Sequence, residues 1–252
     1  MNDALHWNSI ADNYDKEIFN VFKSDKKRKL KKYVMKYANK KNTAIDFGCG
    51  VGKALPLLSP LFKEIIGIDV SKKCIAIAKS SPYKNVSFKE ADLAAKKIDV
   101  PTVDFAFCCN VAMSDDINRN LRIVNNVLSA LNKGGVAVFV LPSMESVTHS
   151  AMSLINWYQK EGIGMSEIPS EEFNHFISRT PKQVHEGIVN IDNVPTKHYL
   201  FTELYALFNT GNFSMQLLDR LEYGWDTEFE SPPTWMQAPY PWDWVVEVKR
   251  NK

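Results

Sequence analysis

Cysteine is scarce in this 252-residue chain, and its four copies stand at positions 49, 74, 108 and 109. Two of them are adjacent and no pair has CxxC spacing, so neither a disulfide framework nor a zinc site is indicated. Free buried thiols and no metal are the expectation. Long apolar runs are also missing, since nothing approaches the ~18 to 20 uninterrupted apolar residues of a membrane span. The start, Met1 to Trp7, lacks a basic-then-apolar signal segment. A soluble, cytoplasmic protein without membrane association is therefore expected. A GxxxxGK(S/T) phosphate loop is absent, which leaves ATP hydrolysis without support. No internal repeat or low-complexity tract occurs. With 45% hydrophobic and 24% charged residues, 11 Gly and 12 Pro, the composition excludes disorder and collagen-like repeats. It fits one large domain, or one domain carrying an inserted lid.

The net charge of +2 conceals an uneven distribution. Residues 23 to 41 hold ten Lys/Arg against the single Asp25, so the rest of the chain is net acidic. Leu30, Val34 and Tyr37 recur at helical spacing beneath the charges, the pattern of an amphipathic helix with a solvated face. A phosphate-facing patch is the alternative.

After this helix the pattern becomes strand, loop, helix, repeatedly. Thr43 to Phe47 is a short apolar run ending in Gly48-Cys49-Gly50-Val51-Gly52, with Ala54, Leu55, Leu57 and Leu58 following as a helix face. Glu64 to Asp69 is a second strand, followed by Ser71 as a helix cap. Val86 to Asp92 is a third and Val103 to Cys109 a fourth. A helix through Leu121, Val124, Val127, Leu128 and Leu131 ends in the glycine turn Asn132-Lys133-Gly134-Gly135, before a fifth strand, Val136 to Leu141. This alternation predicts a doubly wound, mostly parallel sheet covered on both faces. Beyond Pro142 the rhythm changes. Residues 143 to 200 form a helical lid, with a possible strand at Ile188 to Ile191. Thr202 then caps a helix through Leu204 and Leu207, and Ser214 to Leu218 and Trp244 to Val248 return to the sheet. The expected plan is thus N-terminal helices over 1–40, a core over 41–142, a lid or substrate insert over 143–200, and a C-terminal helix and strands over 201–252.

Asp46, Asp69 and Asp92 stand at or near the carboxyl ends of three successive candidate strands, 23 residues apart each time. In an open parallel sheet those ends border the ligand crevice. Glycines at 48, 50 and 52 let backbone approach a ligand, and the helix beyond offers free amide donors. Asp69 is placed to accept hydrogen bonds from a ribose diol, so an adenosine-containing ligand is implied. A dinucleotide fingerprint needs Gly or Ala at position 53, where Lys53 stands, and this disfavours a nicotinamide cofactor.

With these residues in place, the chain resembles the class I S-adenosylmethionine-dependent methyltransferases of small-molecule type. The resemblance rests on Ile45 to Gly52, Gly67 to Ser71, Ala91-Asp92-Leu93, Val103 to Asn110, and Leu131 to Gly135, in the family's order, over roughly residues 5 to 142. It implies a Rossmann-like seven-stranded sheet with an antiparallel last strand, and extends loosely over His198 to Phe213. Trp7 to Asp15 resembles the helix that many members fold over the cofactor. The resemblance further implies that Gly48 and Gly50, with Cys49 between them, line the methionine part of S-adenosylmethionine, and that Asp46 stands near its ammonium. Asp69 would hold the ribose, Val70 would pack on the adenine, and Asp92 with Leu93 would meet its amino edge. Asn110 would offer its backbone to the methionine portion, and Tyr14 would close the site.

Methyl transfer needs alignment and a deprotonated nucleophile more than a dedicated side chain, and orientation supplies ~7 to 11 kcal/mol of the barrier. Where a base is required, the candidates are His149, His175, His185 and His198, of which His149 and His198 are the chosen pair. The acceptor pocket is expected from Val111, Met113, Ser114, Pro142, Ser143 and the lid. Residues 219 to 248 hold seven acidic residues among seven aromatics, a composition that suits either an amine site or an ordered proline-rich loop packed on the sheet edge. An insert of this kind favours an enclosed small-molecule acceptor over nucleic acid. The alternatives are an RNA or protein methyltransferase footed on the basic helix, and a non-catalytic cofactor-binding subunit. Oligomeric state is left open.

Overall fold

The computed structural model describes residues 3–14, 18–174, 176, 180–191 and 194–252. Seven strands make the main sheet: β1 (Asn39–Phe47), β2 (Phe62–Asp69), β3 (Val86–Glu90), β4 (Val103–Cys109), β5 (Leu131–Pro142), β8 (Phe213–Glu222) and β9 (Trp242–Arg250). Their order is β3-β2-β1-β4-β5-β9-β8. The first five run parallel, and β9 pairs antiparallel with both β5 and β8. The expected mostly parallel sheet with an antiparallel last strand is therefore present.

Apolar residues are nearly continuous in the central strands because both faces are covered. Ile45, Phe47, Ala106, Cys108 and Phe139 face one layer, packed with Ile123, Val124 and Val127 of α6 (Ile117–Ser129). Their neighbours Ala44, Phe105, Phe107, Val138 and Val140 face the other, against Leu30 and Val34 of α3 (Lys29–Met35) and Leu55 and Leu58 of α4 (Leu55–Leu58). The remaining helices are α1 (Asp3–Ile10), α2 (Val21–Ser24), α5 (Lys72–Lys79), α7 (Met144–Lys160), α8 (Pro181–Glu186) and α9 (Phe201–Phe208). Ser71 caps α5 as expected, its Oγ accepting the Cys74 N–H at 3.1 Å.

The insert after β5 holds α7, two short 3-10 turns, α8 and the antiparallel hairpin β6 (Ile188–Ile191) and β7 (Val194–Lys197). It rejoins the sheet at its carboxyl edge. The Lys197 N–H donates to the Met113 carbonyl at 2.9 Å and the Tyr199 N–H to the Pro142 carbonyl at 2.8 Å.

Four local expectations need correction. Strand β1 starts at Asn39, so Lys40 and Lys41 belong to it, and the basic helix ends at Met35. Strand β5 already begins at Leu131; Gly134, at φ +82°, lies within it, where the pairing with β4 shifts register. Thr202 lies inside α9 rather than capping it, and Glu145 Oε1 accepts the Phe201 N–H at 2.8 Å instead. The fourth change concerns charge: the basic segment is engaged with acidic strands. Lys27, Lys29 and Lys36 pair with Glu222, Asp219 and Glu247 at 2.7, 2.8 and 2.9 Å, and Lys26 with Asp226 at 3.3 Å. The Tyr37 hydroxyl donates to the same buried Glu247 at 2.8 Å. Among the described residues no helix is long and apolar enough to cross a membrane.

Candidate functional site

The carboxyl ends of β1, β2 and β4 meet at one crevice. In register, Asp46 stands opposite Gly67 on one side and Phe107 on the other, which puts its carboxyl in the sheet interior. Only 2% of Asp46 is exposed, and its Oδ2 has no hydrogen-bond partner. Burial, reinforced by the negative Asp69, raises its pKa to about 7. Asp69 is better satisfied, accepting the Gly50 N–H and the Ser71 N–H at 2.8 Å each. Burial raises its carboxyl too, and these backbone donors oppose the shift.

The glycines are required by close approach. At Gly48, φ is +74° and an added Cβ would lie 2.2 Å from Val111 Cγ2; at Gly50, φ is +50° and the Cβ would lie 2.7 Å from the Tyr14 hydroxyl. Asn110, just past β4, also has a positive φ of 51°, a costly setting for a residue with a side chain. Its Nδ2 donates to Asp243 Oδ2 at 3.2 Å, while its buried Oδ1 has no partner.

Gly48, Gly50, Asp69, Val70, Leu93, Cys109 and Asn110 line one pocket, roofed by Trp7 and Tyr14. The roof is pinned to the start of α5, where Asn8 Oδ1 accepts from Ser71 Oγ at 2.8 Å and from the Lys73 N–H at 3.1 Å. About 80 Å³ remains beneath it. The residues suit an adenosyl ligand. Two unpartnered buried oxygens stand ready for donors, a carboxylate borders a glycine cradle that a Cβ would fill, and Val70 and Leu93 supply apolar walls. Asp46, behind the loop, and Cys49, within it, are buried and not themselves among the lining residues. Asp92 is turned away: Arg119 Nη2 donates to it at 2.8 Å and the Ala94 N–H at 2.9 Å. Arg119 outweighs partial burial and holds that carboxyl below its usual range.

The expected acceptor residues gather under the insert's return. Met113 and Pro142 accept its backbone donors, Ser143 bridges to Tyr199 and caps α7, and the Ser114 backbone is closed into a turn by Asn120 at 2.9 and 2.7 Å. His198 lies here, 7% exposed, with Nδ1 3.0 Å from the Thr196 carbonyl. Burial lowers its pKa to about 4, with Lys197 adding to the effect. His149 Nε2 sits 2.9 Å from the Pro239 carbonyl, and its ring packs beside Trp225 and Trp242. Neither His149 nor His198 lines either of the two cavities described here. His185 is in α8, and His175 lies outside the described residues.

Sequence reasoning missed two features. Asp243, at the start of antiparallel β9, is delivered to the same carboxyl edge because that strand's amino end pairs with Pro142. It does not line the donor pocket itself but accepts from the Tyr223 hydroxyl at 2.7 Å and from Asn110, which does, and burial raises its carboxyl. The second feature is a cavity of about 640 Å³ between α7 and the segment 227–230, lined by carboxylates and aromatic rings. The acidic-aromatic composition of residues 219 to 248 was its only signal. Among the described residues no group of three or more His, Cys, Asp or Glu side chains is arranged to hold a metal ion.

A family model described as a methyltransferase domain matches residues 19–180. The probable S-adenosylmethionine-dependent methyltransferase CRG1 of Saccharomyces cerevisiae is 30% identical over 105 residues, 41% of this chain and 31% of that protein. The chain spans between about a third and two fifths of the length of the curated relatives it matches. Among solved structures, the DhpI-SAM-HEP complex superposes with a TM-score of 0.63 at 17% identity, covering 99% of this chain and 96% of that one. N-methyltransferase NodS from Bradyrhizobium japonicum WM9, in complex with S-adenosyl-L-homocysteine, superposes with a TM-score of 0.60 at 11% identity over the whole of both chains. At these identities the likeness concerns the fold.

Proposed function

Because this chain belongs to the methyltransferase-domain family, whose model spans residues 19–180, we propose that it transfers a methyl group from S-adenosylmethionine to a small-molecule acceptor. The observation that carries the donor reading is the crevice itself: the unpartnered Asp46 Oδ2 and the Gly48–Gly50 cradle at the tips of adjacent parallel strands. When bound, S-adenosylmethionine supplies an electrophilic sulfonium methyl for in-line displacement by the acceptor's lone pair. Asp46 offers its unpartnered oxygen to the donor's ammonium, and that positive charge draws the carboxyl back toward its ionised form. Asp69 keeps its two backbone donors and has further lone pairs for ribose hydroxyls. Val70 and Leu93 wall the adenine, and Asn110 borders the methionine end. Trp7 and Tyr14 close over the site and exclude water.

An enclosed acceptor is supported by the size and walls of the second cavity, and by the engagement of the basic segment with Asp219, Glu222, Asp226 and Glu247. Where the acceptor must lose a proton, Asp243 is the better placed acceptor of it. Its carboxylate is hydrogen-bonded to Asn110, which lines the donor pocket, whereas His149 and His198 are each held 2.9 to 3.0 Å from a carbonyl outside it.

Two measurements test the reading. Titration calorimetry of Asp69→Ala with S-adenosylmethionine is expected to show an affinity loss of about tenfold or more, two hydrogen bonds to a charged acceptor being removed. Undetectable, identical binding in the parent protein removes the donor assignment. Asp243→Asn is expected to lower kcat ~10²- to 10⁴-fold with donor affinity kept, while a His149→Ala/His198→Gln variant stays within about threefold of the parent. The reverse pattern returns the base to the histidines.

A further inference from the structure

The cavity of about 640 Å³ is within the range of small-molecule sites and is separate from the donor pocket. Four carboxylates line it, Glu161, Glu172, Glu228 and Glu230, together with the rings of Trp157, Tyr158, Phe176 and Phe229, and among the described residues its lining includes no Lys or Arg. Among the described residues none of these four glutamates is in an ion pair. The lysine next in sequence to Glu161 does not neutralise them: Lys160 Nζ lies 3.9 Å above the Trp235 ring. Carboxylates gathered on one concave wall give it a negative potential, which an organic cation would meet.

The residues facing Glu228 are consistent with this. Glu228 is exposed, yet the protein packed around its carboxyl raises its pKa to about 7, with Asp243 of β9 adding repulsion. Ser150 of α7 lies beside it, fully buried with its hydroxyl oxygen outside hydrogen-bond geometry, and offsets the shift only in part. The aromatic walls suit the same occupant. Phe229 stacks on Trp225 at 5.6 Å and meets Trp157 edge-on at 5.9 Å, holding ring faces fixed for cation–π contact. Among the described residues these carboxylates are not gathered as metal ligands. Asp243 connects this cavity with the other site, repelling Glu228 on one side and accepting from Asn110 on the other.

Resting on the methyl-transfer reading, we propose that this cavity holds the acceptor, a small molecule carrying a cationic amino group on an apolar or aromatic body, whose reacting end extends past Asp243 toward Asn110 and the donor pocket. Anions are rejected by the four carboxylates.

The test compares two probes of one shape on the full chain, 2-phenylethylammonium and 3-phenylpropionate, by quenching of tryptophan fluorescence and by calorimetry. Binding of the ammonium at least about tenfold tighter than the carboxylate is expected, since one charge-assisted contact is worth about that much. A Glu172→Gln/Glu228→Gln variant is expected to lose most of this preference. Equal or tighter binding of the carboxylate by the parent protein overturns the proposal, and needs no variant to fold. A folded variant with undiminished preference overturns it as well. Titration with S-adenosylmethionine in parallel separates the two readings. Donor binding without cation preference sinks this inference alone, whereas cation preference without donor binding sinks the methyl-transfer reading and leaves a cation-binding cavity.

Discussion

At Asp46 a charge has been placed where folding alone disfavours it. The carboxyl is fully buried, one oxygen is unpartnered, and its pKa stands near 7 instead of about 4. A raised folded-state pKa on an acid means that the destabilisation begins above the unfolded value and is complete only above the folded one. Asp46→Asn is therefore expected to raise the melting temperature of the ligand-free protein by about 3 °C or more at pH 8, with little gain at pH 5, where the parent carboxyl is already protonated. The same substitution is expected to weaken S-adenosylmethionine binding about tenfold or more, because an amide cannot pair with an ammonium as a carboxylate does. A thermal gain without loss of donor affinity would remove Asp46 from the site. The glycine loop and the two strand-end aspartates were legible in the sequence because close backbone approach and strand ends leave local signatures. Nothing local marked Asp243, which reaches the site only through pairing of β9 with β5.

At the level of elements, α1 is held to the other described residues by few polar bonds, chiefly those that Asn8 accepts from Ser71 and Lys73. Short exposed helices with so few ties open at little free-energy cost. Asn8→Ala removes both bonds and is expected to raise the donor's dissociation rate by about threefold to tenfold while leaving the melting temperature within about 2 °C. Stopped-flow displacement of bound S-adenosyl-L-homocysteine measures this, and an unchanged rate shows that the roof does not gate the pocket. The basic segment teaches a related lesson. Its helical periodicity was correctly visible, but its partners were not, since Glu222, Asp219 and Glu247 are 195, 190 and 211 residues away. The cap of α9 was misassigned for the same reason: Thr202 is a good local candidate, and Glu145 of α7 takes the role from 56 residues away.

For the molecule as a whole, the sheet brings two chemistries to one edge. Parallel strands present their carboxyl ends there, and antiparallel β9 presents its amino end, so Asp46, Asp69, Asn110 and Asp243 converge from four strands or strand ends. The insert seals this edge through β7 and Tyr199, whose hydroxyl donates to the Ala112 carbonyl at 2.5 Å. His198 is buried in that seal and remains neutral, with a pKa of about 4. In the unfolded chain it takes up a proton near 6.5, so its contribution to stability is complete above that pH and is lost as the pH falls from 6.5 toward 4. His198→Gln is expected to flatten the fall in melting temperature between pH 7 and pH 5 relative to the parent protein. An identical slope in both shows that His198 is accessible to protons in the folded state.

The strand–helix alternation, the glycine loop and the acidic strand ends are written in short stretches of sequence, because hydrophobic period and backbone conformation are local properties. They determined the sheet, its mostly parallel order and the place of the donor crevice. The acidic-aromatic cavity, the engagement of the basic helix and the arrival of Asp243 beside Asn110 were decided only by tertiary structure. Each depends on which distant segments lie side by side, and the free energy of pairing or repelling charges is set by that proximity and by the burial that comes with it.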